Sequence, residues 1–154
     1  MHVIALASDH AGYALKALLA EDLRAAGYEI LDLGPQDTAR VDYPDFGHAL
    51  GLALAEGRAT RGIAVCGSGI GISIAVNRHP AARCALVTDG LMARLARQHN
   101  DANCIALGSR LIGEDMARDC VTQFLTTEFE GGRHTGRVAK LGTAPPAPLP
   151  PTTL

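Results

Sequence analysis

The chain has 154 residues, a formal charge of −2 and 47% apolar residues, enough for one globular domain with a substantial core. Only 4% are aromatic, so that core must be built from Ala, Leu, Ile and Val. The small charge excludes a general attraction to nucleic acid or an anionic membrane, and no run approaches the roughly 20 apolar residues of a membrane span.

At the N-terminus, MHVIALASDH has no cationic stretch and too short an apolar run for a signal peptide, so a cytoplasmic protein is expected. A first strand is expected at 2–7, followed directly by Asp9 and His10. The next pattern, 12–26, places Leu15, Leu18, Leu19 and Leu23 on one helical face. Ser8 or Asp9 can cap this helix and Gly27 can end it. A strand at 28–33 leads through DYPD, with Tyr43, to a helix at 46–57. Then come a strand at 62–66, a helix at 70–78, a strand at 83–87 and a helix at 89–98. A strand at 104–107 and a helix at 113–129 complete the series.

Strict alternation of strand and helix, with aliphatic strands such as VIAL and IAVC, predicts an α/β fold. Its form is a three-layer α/β/α, Rossmann-like domain on a five-stranded parallel sheet. The domain spans 1–142 and shows no internal repeat. The remainder, 143–154, carries five of the eight prolines and is expected to be a disordered extension.

Ligands of such folds sit at the carboxyl ends of the strands. Asp9 and His10 follow the first strand there, and CGSGIGIS follows the third. If those strands are neighbours, the groups share one crevice. The glycine pattern is GxGxG, so a dinucleotide fingerprint with Asp89 as ribose ligand fits poorly, and no GK[ST] is present for a P-loop. Successive amides at a helix start can still hold an anion or a developing oxyanion, or simply form a tight turn. Cys66, beside those amides, reads either as a base or nucleophile with a favoured thiolate, or as a small buried hydrophobe. The second reading suits Cys84, Cys104 and Cys120. None of the four forms a CxxC pair, and no HExxH or other histidine pair suggests a metal, so neither zinc nor disulfides are expected. His99 reads as a helix C-terminal residue, and Tyr43 as a loop aromatic. Arg133 and Arg137 suit a phosphate if GGRHTGR is helical, and otherwise form a solvated basic face. Arg110 follows the last strand.

Six segments in order, SDHAG, DYPD, CGSGIGISIAVN, RQHND, GSR and GGRH, resemble the type B ribose-5-phosphate isomerases, whose family includes galactose-6-phosphate isomerase. The resemblance covers about residues 2–140. It implies a cofactor-free, metal-independent aldose–ketose isomerase of sugar phosphates that forms homodimers or tetramers. By resemblance, Cys66 is the base that moves a proton between C2 and C1. Gly67, Ser68, Gly69 and Gly71 hold the enediolate oxygen, while Asp9, His10 and Tyr43 contact the sugar. His99 opens the furanose ring beside Asn100, and Arg110, Arg133 and Arg137 bind the phosphate. Ser68 stands where many members have threonine. Ile72 occupies the position of a carboxylate in a branch that lacks the cysteine, so that mechanism is not available here.

Ribose 5-phosphate and ribulose 5-phosphate are the expected pair. Allose, galactose or tetrose phosphates are alternatives, as is a non-catalytic module binding a phosphosugar or nucleotide. Geometry adds one expectation. His99 precedes the fifth strand while Cys66 ends the third, so about 17 Å of strand separates them. Active sites shared between two subunits follow from that distance.

Overall fold

The three-dimensional structure, a computed structural model, describes residues 3–142. His2, expected in the first strand, and the Pro-rich tail lie outside the described residues. Strands and helices alternate as β1 (Val3–Ser8), α1 (Tyr13–Ala25), β2 (Glu29–Asp32), α2 (Tyr43–Ala55), β3 (Arg61–Cys66) and α3 (Ile70–Val76). They continue as β4 (Cys84–Leu86), α4 (Gly90–Asn100), β5 (Cys104–Gly108), α5 (Glu114–Thr126) and α6 (Arg133–Leu141). All strand pairs are parallel, in the order β2-β1-β3-β5-β4. The expected three-layer α/β/α architecture is therefore present, with β1, β3 and β5 adjacent at its centre.

The two faces of the sheet carry side chains of different size. Ile4, Leu6, Ile63, Val65, Ile105 and Leu107 meet Leu15, Leu19 and Leu23 of α1, Ala96 of α4 and Phe124 of α5. On the other face Ala5, Ala7, Ala64, Cys66, Cys104 and Ala106 meet Leu50 of α2 and Ile72 and Val76 of α3. Small residues there let α2 and α3 lie close to the sheet and to each other. A methyl group at Gly47 would stand 2.6 Å from the Ala75 Cβ and 3.0 Å from the Ile72 carbonyl oxygen.

Three local features differ from the sequence expectation. Ser8 is a strand residue and does not cap α1; Asp9 Oδ1 instead accepts the Gly12 N–H at 2.9 Å. Helix α2 begins at Tyr43, not 46, because Pro44 fits the first turn, where no N–H is needed. Tyr43 is thus a helix residue and not part of a loop. The segment GGRHTGR, left open by the sequence, enters a helix, α6, in which His134 is the one buried residue. Gly27 ends α1 as expected, with φ of +89° and its N–H on the Arg24 carbonyl.

The close α2–α3 approach yields a stability prediction. Helix propensity favours alanine over glycine by about 1 kcal/mol, whereas forcing a methyl into a packed contact typically costs about 1–3 kcal/mol. Gly47→Ala is expected to lower the thermal midpoint by a few degrees. Gly136→Ala, in α6 with nothing near the new methyl, should raise it slightly. Unfolding followed by circular dichroism decides the matter, and a Gly47→Ala midpoint equal to the parent's would mean that the contact relaxes freely.

Candidate active site

The carboxyl ends of the three central strands are tied to one another by backbone hydrogen bonds. Asp9 N–H donates to the Val65 carbonyl (3.2 Å), Ser109 N–H to that of Cys66 (2.9 Å), and Arg110 N–H to that of Gly67 (3.0 Å). The Ser109 hydroxyl reaches the Ala11 carbonyl at 2.8 Å. Asp9, His10, Cys66, the glycine loop and Arg110 therefore occupy one crevice, as the order of strands requires.

Cys66 is the last residue of β3 and is only 4% exposed. Its Sγ accepts the Gly69 N–H at 3.1 Å. Gly69 takes φ of +76°, and a Cβ there would lie 2.7 Å from Leu86 Cδ1 and 2.9 Å from the Leu107 carbonyl carbon. Facing it, a Cβ on Gly108 would meet the Ser68 backbone at 2.7 Å. The loop is thus pressed onto the end of β5 at two positions where only glycine fits.

The remaining wall of the crevice comes from side chains. The Tyr43 ring covers Gly71, 2.5 Å from where a Cβ would stand, and Arg110 Nη1 is 3.3 Å from the corresponding point on Gly67. Ser68 Oγ accepts the Ile70 N–H at 3.2 Å, which leaves its own proton free to donate outward. Asp9 is buried beneath, and His10 Nδ1 lies 3.2 Å from the Val41 carbonyl oxygen. Ile72 is fully buried in the core, so no carboxylate enters the crevice at that position.

The other cysteines belong to the core. Burial pushes the Cys120 thiol up to about 11 and holds the Cys104 thiol well above its usual range. Asp89, the acid that a dinucleotide reading needs, spends its carboxylate capping α4 through the Met92 N–H at 2.9 Å. The nucleotide alternative thereby loses its ribose ligand.

His99 and Asn100 are not near Cys66 in the chain's own fold. They end α4, ahead of β5, whereas Cys66 is in register with Gly108 at the far end of that strand. The strand between spans about 13 Å. His99 stacks instead on His134 of α6, with ring centroids 4.4 Å apart and planes at 13°. Arg133 and Arg137 are exposed on the same helix. The turn after Asn100 is clamped at Asp101, which has φ of +45°. Arg97 donates to its Oδ1 at 2.8 Å and Arg83 to its Oδ2 at 3.0 Å. A cavity of about 570 Å³ opens at this edge, bordered by Asn100, Arg83, Cys84, Val138 and Leu141. The candidate residues therefore form two groups, one at each end of the sheet. Sequence reasoning passed over Asp101, Glu130 and His134. The i,i+4 spacing of the last two is visible in the sequence, but their meeting with His99 depends on how α6 docks.

No helix of the described residues is long and apolar enough to cross a membrane. The profile of the Ribose/Galactose Isomerase family matches residues 4–141. The ribose-5-phosphate isomerase B of Escherichia coli (strain K12) is 41% identical over 138 residues, covering 90% of this chain and 93% of that protein. Among solved structures, ribose-5-phosphate isomerase B of Clostridium thermocellum superposes with a TM-score of 0.90 at 49% identity, over 91% of this chain and 95% of its own. The Mycoplasma genitalium enzyme, crystallised with ribulose-5-phosphate, gives a TM-score of 0.85 at 38% identity, over 90% and 93% of the two chains. With its fold and nearly its whole described length in common with these proteins, the chain belongs to the ribose/galactose isomerase family.

Proposed function

We propose that the chain interconverts ribose 5-phosphate and ribulose 5-phosphate through an enediolate, with Cys66 as base. The observation that carries this reading is the thiol held at the root of the glycine loop by the Gly69 N–H. In the proposed reaction His99 moves the O1 proton toward the ring oxygen as the C1–O4 bond breaks, giving the open aldehyde. The Cys66 thiolate then takes the C2 proton, and the electron pair forms the C1–C2 double bond. Negative charge appears on O1, where amides of the Gly67–Gly71 backbone and the Ser68 hydroxyl can meet it. Fixed donors of this kind can each contribute about 3 kcal/mol. Return of the proton to C1, with transfer of the O2 proton to O1, yields the ketose. Asp9, His10 and Tyr43 line the sugar, while Arg110, Arg133 and Arg137 hold the phosphate.

The same reading requires a homodimer whose sites are composite. His99, Asn100, Arg133 and Arg137 must come from a second copy to face Cys66. Supporting this, Ile70 and Ile74, each 51% exposed, put an apolar face on α3 directly beside the glycine loop. A copy seated there would bring its residues to the crevice. Within the family, other phosphosugars are the competing substrates. A panel of pentose, hexose and tetrose phosphates, assayed with EDTA present, separates them. Thermal shift with NAD, FMN and the same sugars separates an isomerase from a binding module.

Cys66→Ala should abolish isomerisation and leave sugar-phosphate binding within a few-fold. Exchange of solvent deuterium at C2 reports the proton transfer itself, and undiminished exchange in Cys66→Ala would remove the thiol from the mechanism. Arg137→Ala should lower kcat/KM by about 10- to 100-fold, as expected for loss of a charged hydrogen bond. An unchanged value would return α6 to a solvated basic face. Mixing inactive Cys66→Ala with inactive His99→Asn, under conditions that exchange subunits, should restore about a quarter of the parent activity, because each mixed dimer holds one intact site. No recovery, with exchange verified by native mass spectrometry, would mean that His99 does not act on the partner's Cys66.

A further inference from the structure

His134 poses a problem that the proposed reaction does not solve. It is 6% exposed, and its Nε2 finds no hydrogen-bond partner among the described residues. A buried polar nitrogen without a partner is costly, and such a group calls for an explanation. The nearest candidate, Glu130 Oε2, stands 3.6 Å away, beyond hydrogen-bond range. Burial, followed by the nearby His99 and Arg133, lowers the pKa of His134, while Glu130 opposes the shift. In its neutral form such an imidazole offers a lone pair that a cation can take.

The backbone brings two further donors to this point. Glu130 N–H donates to the Gln98 carbonyl at 3.1 Å, which fastens the segment before α6 to the last turn of α4 beside His99. Gly131 and Gly132, with φ of +64° and +55°, then turn the chain so that His134 comes back toward Glu130. As a result His99, Glu130 and His134 each offer a ligand atom, and these atoms lie within 4.8 Å of one another.

We propose that His99, Glu130 and His134 form a binding site for a zinc-class divalent cation, and that its occupation withdraws His99 from the isomerase reaction. Two imidazoles and one carboxylate, with a fourth position open, are a common donor set for such ions. Metal–ligand bonds of about 2.0–2.1 Å in a tetrahedron place donors about 3.3 Å apart. The His134–Glu130 pair, at 3.6 Å, is already close to that separation. The stacked rings cannot share one ion in their present parallel planes, so one ring must turn. His99 is the one to do so, because it is partly exposed at a helix end and its contact is the ring of His134. Arg133 and Arg137 oppose a cation here, so affinity on the order of micromolar is expected, well short of a closed structural zinc site. The pairing was hidden from the sequence because 35 residues separate the two histidines.

Cobalt(II) serves as the probe, titrated into metal-free protein and followed by its visible absorption. One ion per chain is expected, with affinity weakened at least about tenfold by Glu130→Gln, an exposed and structurally mild change, and further by His134→Asn. His48→Asn is the control, because His48 and His79 form the other close histidine pair among the described residues, 3.2 Å between nitrogens. Zinc should inhibit isomerisation reversibly, with recovery on adding EDTA, and should inhibit Glu130→Gln less while that variant's metal-free activity stays at the parent level. No cobalt absorption, or binding that survives both Glu130→Gln and His134→Asn but is lost in His48→Asn, would overturn the proposal. The inhibition rests on the catalytic reading of His99, whereas the cobalt titration does not. Cobalt bound as expected beside undiminished zinc-treated turnover would support the site and count against His99 as the ring-opening group.

Discussion

The hydrogen bond from the Gly69 N–H to Cys66 Sγ is the interaction on which the candidate site depends. It requires Gly69 to adopt a left-handed backbone in a space that no side chain could share with Leu86 and Leu107. That space exists because β5 lies beside β3 in parallel register, with Cys66 opposite Gly108. Gly108 in turn must lack a side chain, since the Ser68 backbone occupies the position. A thiol, a loop of amides and two strand ends are thereby fixed by one local packing condition. Preorganisation of this kind lets donors meet a developing charge without moving first.

Size asymmetry across the sheet supports the same arrangement from below. The face toward α1, α4 and α5 is filled by Ile, Leu and Val, whereas the face toward α2 and α3 is mostly alanine and cysteine. Cys66 belongs to the thin layer. With α2 and α3 pulled inward at Gly47, the first residue of α2, Tyr43, lies over Gly71 and closes the crevice from that side. A bulkier layer would lift α3, and the loop that begins it, away from β5.

Much of this was legible in the sequence, for reasons that can be named. Aliphatic strands between helical patterns specify a buried parallel sheet, and strand ends place Asp9, Cys66 and Arg110 at one edge of it. The asymmetry was present in VIALAS and RGIAVC, where residue size alternates although hydrophobicity does not. Less legible was α6, a short basic segment with one buried histidine that reads equally as a solvated face. Its docking depends on a loop containing two left-handed glycines, and GG alone does not say which way the chain turns. The stacking of His99 on His134 follows from that docking and was accordingly out of reach. Tyr43 was legible as a residue but not as a lid, because its role depends on a helix that starts one turn earlier than its apolar pattern.

The second group of candidate residues faces a stricter mechanical demand than the first. In the proposed dimer His99 must reach a site built on another chain, so any looseness at the end of α4 adds to looseness at the interface. A helix terminus frays unless its last carbonyls and its next residue are held. Here the residue after Asn100 is Asp101, a non-glycine in the left-handed region, where strain of order 1–3 kcal/mol is usual. Two arginines oppose that strain. Arg97, itself almost wholly buried, also donates to the Ala102 carbonyl at 2.6 Å, and Arg83 also donates to the Asp101 carbonyl at 2.9 Å. Exposed ion pairs contribute little on their own, but both arginines here also hold backbone carbonyls, and Arg97 does so from a buried position. Their effect is to convert a flexible helix end into a fixed bracket for His99 and Asn100, which is the property a composite site requires.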